Sequence, residues 1–147
     1  MENKAMLGIS TGTETILVVE NEPGMRRLMS QMLALAGYTV WEAGDGQEAF
    51  HLMEQAERPA DLLLADMTIP AVSGGRLAER LTQQYPATRI LFTSEQAGEA
   101  APGGAQILAK PFSPGALMYK VREVLDAPVE YLSSRSAAAG GDHSTII

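Results

Sequence analysis

Residues 61–66 read Asp61-Leu62-Leu63-Leu64-Ala65-Asp66, a near-continuous apolar run that stops at a carboxylate. A run this short and this apolar suits a strand buried on both faces, as the strands of a parallel sheet are. Three other runs stop at polar groups in the same manner. Ile16-Leu17-Val18-Val19 stops at Glu20-Asn21-Glu22, Ile90-Leu91-Phe92 at Thr93-Ser94, and Ile107-Leu108-Ala109 at Lys110-Pro111. If all four are parallel strands of one sheet, their carboxyl ends share an edge. That edge carries carboxylates, an amide oxygen, a hydroxyl and an ammonium.

Helical patterns lie between the runs. Pro23 leads into Met25, Leu28, Met29, Met32, Leu33 and Ala36, one apolar stripe closed by Gly37. Tyr38-Thr39-Val40-Trp41 predicts a second strand. Asp45 and Glu48 have capping-box spacing ahead of Ala49, Leu52, Met53 and Ala56. Leu77, Leu81 and Tyr85 mark a third helix that Pro86 ends. Ser113-Pro114 opens the last helix, whose buried face is Leu117, Val121, Val124 and Leu125. The stretch from Glu95 to Gly104 has no apolar period, so a helix there is expected to be short or missing. The alternation predicts an α/β fold: a doubly wound, five-stranded parallel sheet in the order 2-1-3-4-5 with right-handed crossovers and a shortened fourth helix. Ligands of such sheets bind at the carboxyl ends of the strands near the switch point, where Glu20, Asn21 and Asp66 are expected side by side.

The 147 residues suit one domain with a real core. A net charge of −7 without a basic run argues against nucleic-acid binding. No apolar stretch approaches the length of a membrane span, and the first residues lack the apolar segment of a signal peptide. No membrane partner and a cytoplasmic location are therefore expected. The absence of cysteine excludes disulfides and thiolate metal sites. Residues 1–13 mix Gly, Ser and Thr and are expected to be a flexible lead. Residues 14–126 form the domain, and 127–147 are expected to be a disordered tail. No effector domain is expected beyond residue 126.

The edge suits acceptance of a phosphoryl group on Asp66. A carboxylate is a weak nucleophile and the donor is itself anionic, so a divalent ion is needed to neutralise charge and fix geometry. Magnesium takes hard oxygen ligands, which Glu20, Asn21, Asp66 and a backbone carbonyl near Thr68 offer. Lys110 is expected to contact phosphoryl oxygens as a point charge, and Thr93 to donate a hydrogen bond to them. The product is an aspartyl phosphate, with enough new charge and acceptor oxygens to reorganise nearby loops.

The stretches ILVVENEP, AGYTVWEAGDGQEA, DLLLADMTIPAVSG, ILFTS, LAKPF and KVREVL, in order over about residues 14–126, resemble the receiver domain of two-component response regulators. The likeness is strongest to receivers of hybrid sensor histidine kinases. The resemblance implies a flavodoxin-like receiver fold and a phosphorelay module that is not an enzyme in its own right. It receives its phosphoryl group with Mg2+ from a sensor histidine kinase or a phosphotransfer protein. It makes Asp66 the phosphoacceptor, Glu20 and Asn21 the acidic-pair positions, Thr93 the switch hydroxyl and Lys110 the phosphoryl-contacting lysine. It also implies a cis Lys110–Pro111 bond.

Three departures from the family stand out. The acidic pair reads Glu20-Asn21, so one negative charge is lost and weaker magnesium binding is expected. Ile107 stands where the family often has Tyr or Phe, so output coupling is expected to differ. The interval from Thr93 to Lys110 is short, which thins a face many receivers use to dimerise; a monomer or weak dimer is expected. The first and second departures motivate an alternative, a phosphorylation-independent interaction module on the same fold. A phosphatase with an aspartyl nucleophile usually has a second Asp two residues on, where this chain has Thr68. A flavin carrier needs a Ser/Thr-rich phosphate loop after the first strand, where this chain has Glu20-Asn21-Glu22. Thr68 and Glu95 are expected to line the route to the acceptor. Simpler readings apply elsewhere. Glu22, His51, Arg76 and Arg80 are expected to be solvated, the methionines at helical spacing to fill the core, and Trp41 to be partly buried packing. Neither His51 nor His143 has the context of a phosphodonor histidine.

Overall fold

The structure is a computed structural model of the chain and describes residues 11–69, 74–96, 98 and 100–128. Five strands, β1 (Thr15–Val19), β2 (Thr39–Ala43), β3 (Leu62–Asp66), β4 (Arg89–Ser94) and β5 (Gln106–Ala109), pair in parallel in the order β2-β1-β3-β4-β5. They alternate with α1 (Pro23–Leu35), α2 (Gly46–Gln55), α3 (Gly74–Gln84) and α4 (Pro114–Asp126). Between β4 and β5 the described residues hold only a three-residue 3-10 turn, Pro102–Gly104, as the weak apolar pattern there predicts.

Side chains alternate across each strand, so the sheet has two apolar faces. Leu17, Val19, Leu63, Ala65, Ile90 and Phe92 pack with Ala49, Met53, Leu77 and Leu81 of α2 and α3. Ile16, Val18, Leu62, Leu64 and Leu91 pack with Met29, Leu33, Leu117 and Val121 of α1 and α4. All five residues of β3 are buried, which is why its sequence shows no polar alternation.

The helix ends follow local chemistry. Ser113 caps α4 by accepting from Ala116 N at 3.0 Å, and Asp45 caps α2 by accepting from Glu48 N at 2.8 Å. The reciprocal bond of the box lands one residue early: Glu48 Oε1 accepts from Gly44 N, 2.8 Å, and not from Asp45 N. Glu22 is not merely solvated as expected. Its Oε1 accepts from Met25 N at 2.6 Å, capping α1 ahead of Pro23. Gly37 closes α1 at φ +106°, a left-handed conformation that favours glycine.

Of the segment expected to be a flexible lead, residues 1–10 lie outside the described residues. Gly12 N donates to Ala36 O at 3.2 Å, and Arg122 Nη1 donates to Thr11 O at 3.1 Å. Arg122 also reaches Glu14 Oε2 and Asp126 Oδ1, tying the start of β1 to α4. Of the expected tail, residues 129–147 lie outside the described residues. His51 is exposed and Trp41 partly buried, as anticipated. Arg80 is not simply solvated: its guanidinium lies 4.1 Å from the centroid of the Phe50 ring, joining α3 to α2.

Candidate functional site

Sheet register gathers the polar strand ends. Asp66, the last residue of β3, is level with Thr93 of β4. Val19 is level with Ala65, so Glu20 leaves β1 beside Asp66. Ser94 is level with Ala109, and Lys110 follows as the chain leaves β5, with its N–H on Ser94 O at 2.8 Å. The Lys110–Pro111 peptide is cis.

The side chains meet accordingly. Lys110 Nζ lies 2.5 Å from Asp66 Oδ2 and 3.0 Å from Glu20 Oε1. The other oxygen of Asp66, Oδ1, accepts from Thr68 N at 2.7 Å and from Thr68 Oγ1 at 2.6 Å. The other oxygen of Glu20, Oε2, accepts from Glu22 N at 3.1 Å. Every oxygen of the two acids therefore has a donor from within the chain. Thr93 differs. It is buried, and its hydroxyl oxygen has no hydrogen-bond partner. A buried hydroxyl without a partner is costly, and one beside charged groups at a strand edge is placed where a bound ligand could complete it.

The electrostatics follow from these contacts. Burial by itself favours the neutral Asp66, but the bonds from Lys110 and Thr68 outweigh it and hold the carboxyl below its ordinary value. Burial likewise disfavours a charged Lys110, and its bonds to Asp66 and Glu20 outweigh it, raising the ammonium above its ordinary value. Both groups are charged at neutral pH, so Asp66 carries the lone pairs a nucleophile needs.

The donor set fits a hard divalent cation. Glu20 and Asp66 already share one cationic centre, the Lys110 ammonium, and both present oxygens of the kind magnesium prefers. Among the described residues no three His, Cys, Asp or Glu side chains converge on a common point. Position 21, next in chain to Glu20, is an exposed amide and not a third acid. Thr68, expected to matter through the backbone carbonyl near it, also donates its N–H and hydroxyl to Asp66 Oδ1. Sequence spacing held no signal for that bond beyond a hydroxyl two residues past the acid. Glu95 is exposed, and Ile107 packs partly buried against the cluster that contains Phe92.

The profile described as the response regulator receiver domain matches residues 16–122. The chain is 34% identical over 122 residues to the sensor kinase CckA of Brucella abortus, covering 79% of this chain and 13% of that protein. It is 34% identical over 118 residues to the response regulator receiver protein CpdR of the same organism, covering 76% of this chain and 97% of that one. Among solved structures, the receiver domain of the hybrid histidine kinase CckA superposes with a TM-score of 0.65 at 29% identity, over 76% of this chain and 99% of that one. The chain thus spans nearly all of one relative and a small part of a much longer sensor kinase.

Proposed function

Because this chain belongs to the response regulator receiver domain family, we propose that it is a phosphoacceptor module of a two-component phosphorelay, taking a phosphoryl group on Asp66 from a histidine kinase or a phosphotransfer protein. The observation that carries this reading is the convergence of Glu20, Asp66 and Lys110, from three separate strand ends, beside the unpartnered hydroxyl of Thr93. A structural ion pair would need the carboxylates and the ammonium but not a vacant buried donor.

The roles divide by chemistry. An Asp66 oxygen attacks phosphorus, a P–O bond forms, and the bond from phosphorus to the donor's imidazole nitrogen breaks, leaving a mixed anhydride. Lys110 moves from Asp66 Oδ2 to a phosphoryl oxygen without losing a charged partner. The Thr93 hydroxyl donates to another phosphoryl oxygen and so gains the partner it lacks. Thr68 holds Oδ1 and limits the rotation of the carboxylate. Glu20, Asn21 and Asp66 would hold Mg2+, which when bound neutralises charge on the donor and orients it. Receiver domains bind kinases or phosphotransfer proteins, so the acceptor edge is the surface that such a partner must reach.

Mass spectrometry after incubation with acetyl phosphate and magnesium tests the reading. Wild type should gain the mass of one phosphoryl group, and Asp66→Asn should not. A wild type that never gains it from any donor overturns the proposal. The amide at position 21 leaves one negative charge fewer on the metal loop, so Asn21→Asp should lower the magnesium concentration needed for half-maximal phosphorylation.

A further inference from the structure

Arg26, in the first turn of α1, holds the preceding loop at two points. Its backbone N–H donates to Glu22 O at 2.9 Å, and its Nη1 donates to Glu20 O at 2.7 Å. Asn21 lies between those two carbonyls; the bond to Glu22 O is the first i→i−4 bond of the helix, which any residue but proline makes, so what the arginine side chain adds is the hold on Glu20 O. The arginine side chain is only 23% exposed, and its Nε faces Glu42 of β2 at 3.6 Å, which fixes it from the far side. Glu20 is held from further directions as well: its N–H donates to Ala43 O at 3.1 Å, and its Oε2 takes the Glu22 N–H at 3.1 Å. Gly44 leaves room for the clamp. A Cβ built there would stand 3.3 Å from Arg26 Nη1, close enough that the guanidinium would have to give by a few tenths of an ångström, and the larger valine side chain crowds it further.

We propose that Arg26 is a positioning residue for the cation site: by holding the carbonyl of Glu20 at the start of the loop, its side chain fixes the segment that presents Glu20 and Asn21 to a divalent ion. The inference rests on the acceptor reading above. A loop with one carboxylate and one amide attracts a hard cation less than a loop with two acids. Its affinity therefore depends more on how little the ligands must rearrange. A guanidinium suits the task because its rigid planar fork turns Nη1 to a carbonyl and Nε to a carboxylate in fixed relative positions, which a single ammonium nitrogen does not do. The positive charge itself repels a divalent ion. Charge and positioning therefore predict opposite signs: losing Arg26 strengthens metal binding if charge dominates and weakens it if positioning does.

The test is calorimetric titration of magnesium into the full chain for wild type, Arg26→Ala, Arg26→Lys and Gly44→Val, with amide exchange at Asn21 and Glu22 followed in metal-free protein. Arg26→Ala should weaken magnesium binding by on the order of tenfold, as loss of a group that orients ligands does, and should speed exchange at both amides. Arg26→Lys should fall between the two. Gly44→Val should weaken binding although it keeps every charge, which separates positioning from electrostatics even if Arg26→Ala folds poorly. Arg26→Ala binding magnesium as tightly as wild type, or more tightly, overturns this inference alone. A wild type that binds no magnesium overturns the metal role assigned to Glu20 and Asn21, and this inference with it.

Discussion

The hydroxyl of Thr68 donates to Oδ1 of Asp66 at 2.6 Å, the same oxygen that takes the Thr68 N–H at 2.7 Å. The Asp66 carboxylate is thus held on one oxygen by its own following turn and on the other by Lys110, and both contacts favour the charged form. Thr68→Val removes one of them and keeps the backbone bond. The Asp66 pKa should rise toward its ordinary value, read from the carboxyl carbon shift in an NMR titration, and Thr68→Ser should restore it. A titration curve that does not move between wild type and Thr68→Val would show that the hydroxyl contributes nothing.

Lys110 is the shared counter-charge of two buried acids, so its loss leaves Asp66 Oδ2 and Glu20 Oε1 without a donor and both carboxylates without their cation. Lys110→Met should destabilise the fold by about 2 kcal/mol at neutral pH, the range for hydrogen bonds to charged groups. The pH dependence has a definite sign. Asp66 is depressed below 3.8, so its contribution is present above that value and is lost as pH falls through the folded value. Lys110 is raised above 10.5, so its contribution is full below that value and is lost as pH rises through the folded value. The stability gap between wild type and Lys110→Met should be widest between those limits and should narrow toward both. Urea unfolding across pH measures it, and a gap that widens in acid would contradict the pairing.

Much of this arrangement could be read from residue order, and the exceptions share a cause. β1 and β3 stood out because burial on both faces leaves no polar residue to blur the run. Asp45 and Ser113 stood out because an N-cap is a bond between near neighbours. The apolar pattern ends β2 at Trp41 because Glu42 on this edge strand interrupts it, although the parallel pairing with β1 runs on to Ala43. The Glu22 cap, the Thr68 bond to Asp66 and the Arg26 bond to Glu20 depend on the path the backbone takes after a strand ends. No spacing rule encodes that path. Strand ends thus named which residues meet, and the turns after them decide how each is held.

Gly37 tests the end of the sheet away from Asp66. Its φ is +106°, and a Cβ there would stand 2.5 Å from Gly12 O, a backbone atom that cannot swing aside. Gly37→Ala should therefore cost about 2 kcal/mol, the scale of a non-glycine residue held in a sparsely populated backbone region. Because the strain lies at the amino ends of the strands, the folded fraction should still accept phosphate at the wild-type rate. Chemical denaturation and acetyl phosphate kinetics on the same sample separate the two outcomes.

Thr93 sets stability against function. Its hydroxyl is buried without a partner, a state that costs stability and that a valine of the same shape removes. Thr93→Val should thus be more stable than wild type by on the order of 1 kcal/mol, the scale of an unsatisfied buried polar group. The same change removes the donor proposed to meet a phosphoryl oxygen, so phosphorylation of Asp66 should slow, or the switch that follows it should weaken. Thr93→Ser keeps the donor and should keep the phosphorylated response. Thermal melts of unphosphorylated protein measure the first effect; phosphorylation kinetics, with amide exchange of β4 and β5 before and after, measure the second. A less stable Thr93→Val would mean that the hydroxyl already has a partner in solution. A fully phosphorylated, fully responsive Thr93→Val would remove Thr93 from the site.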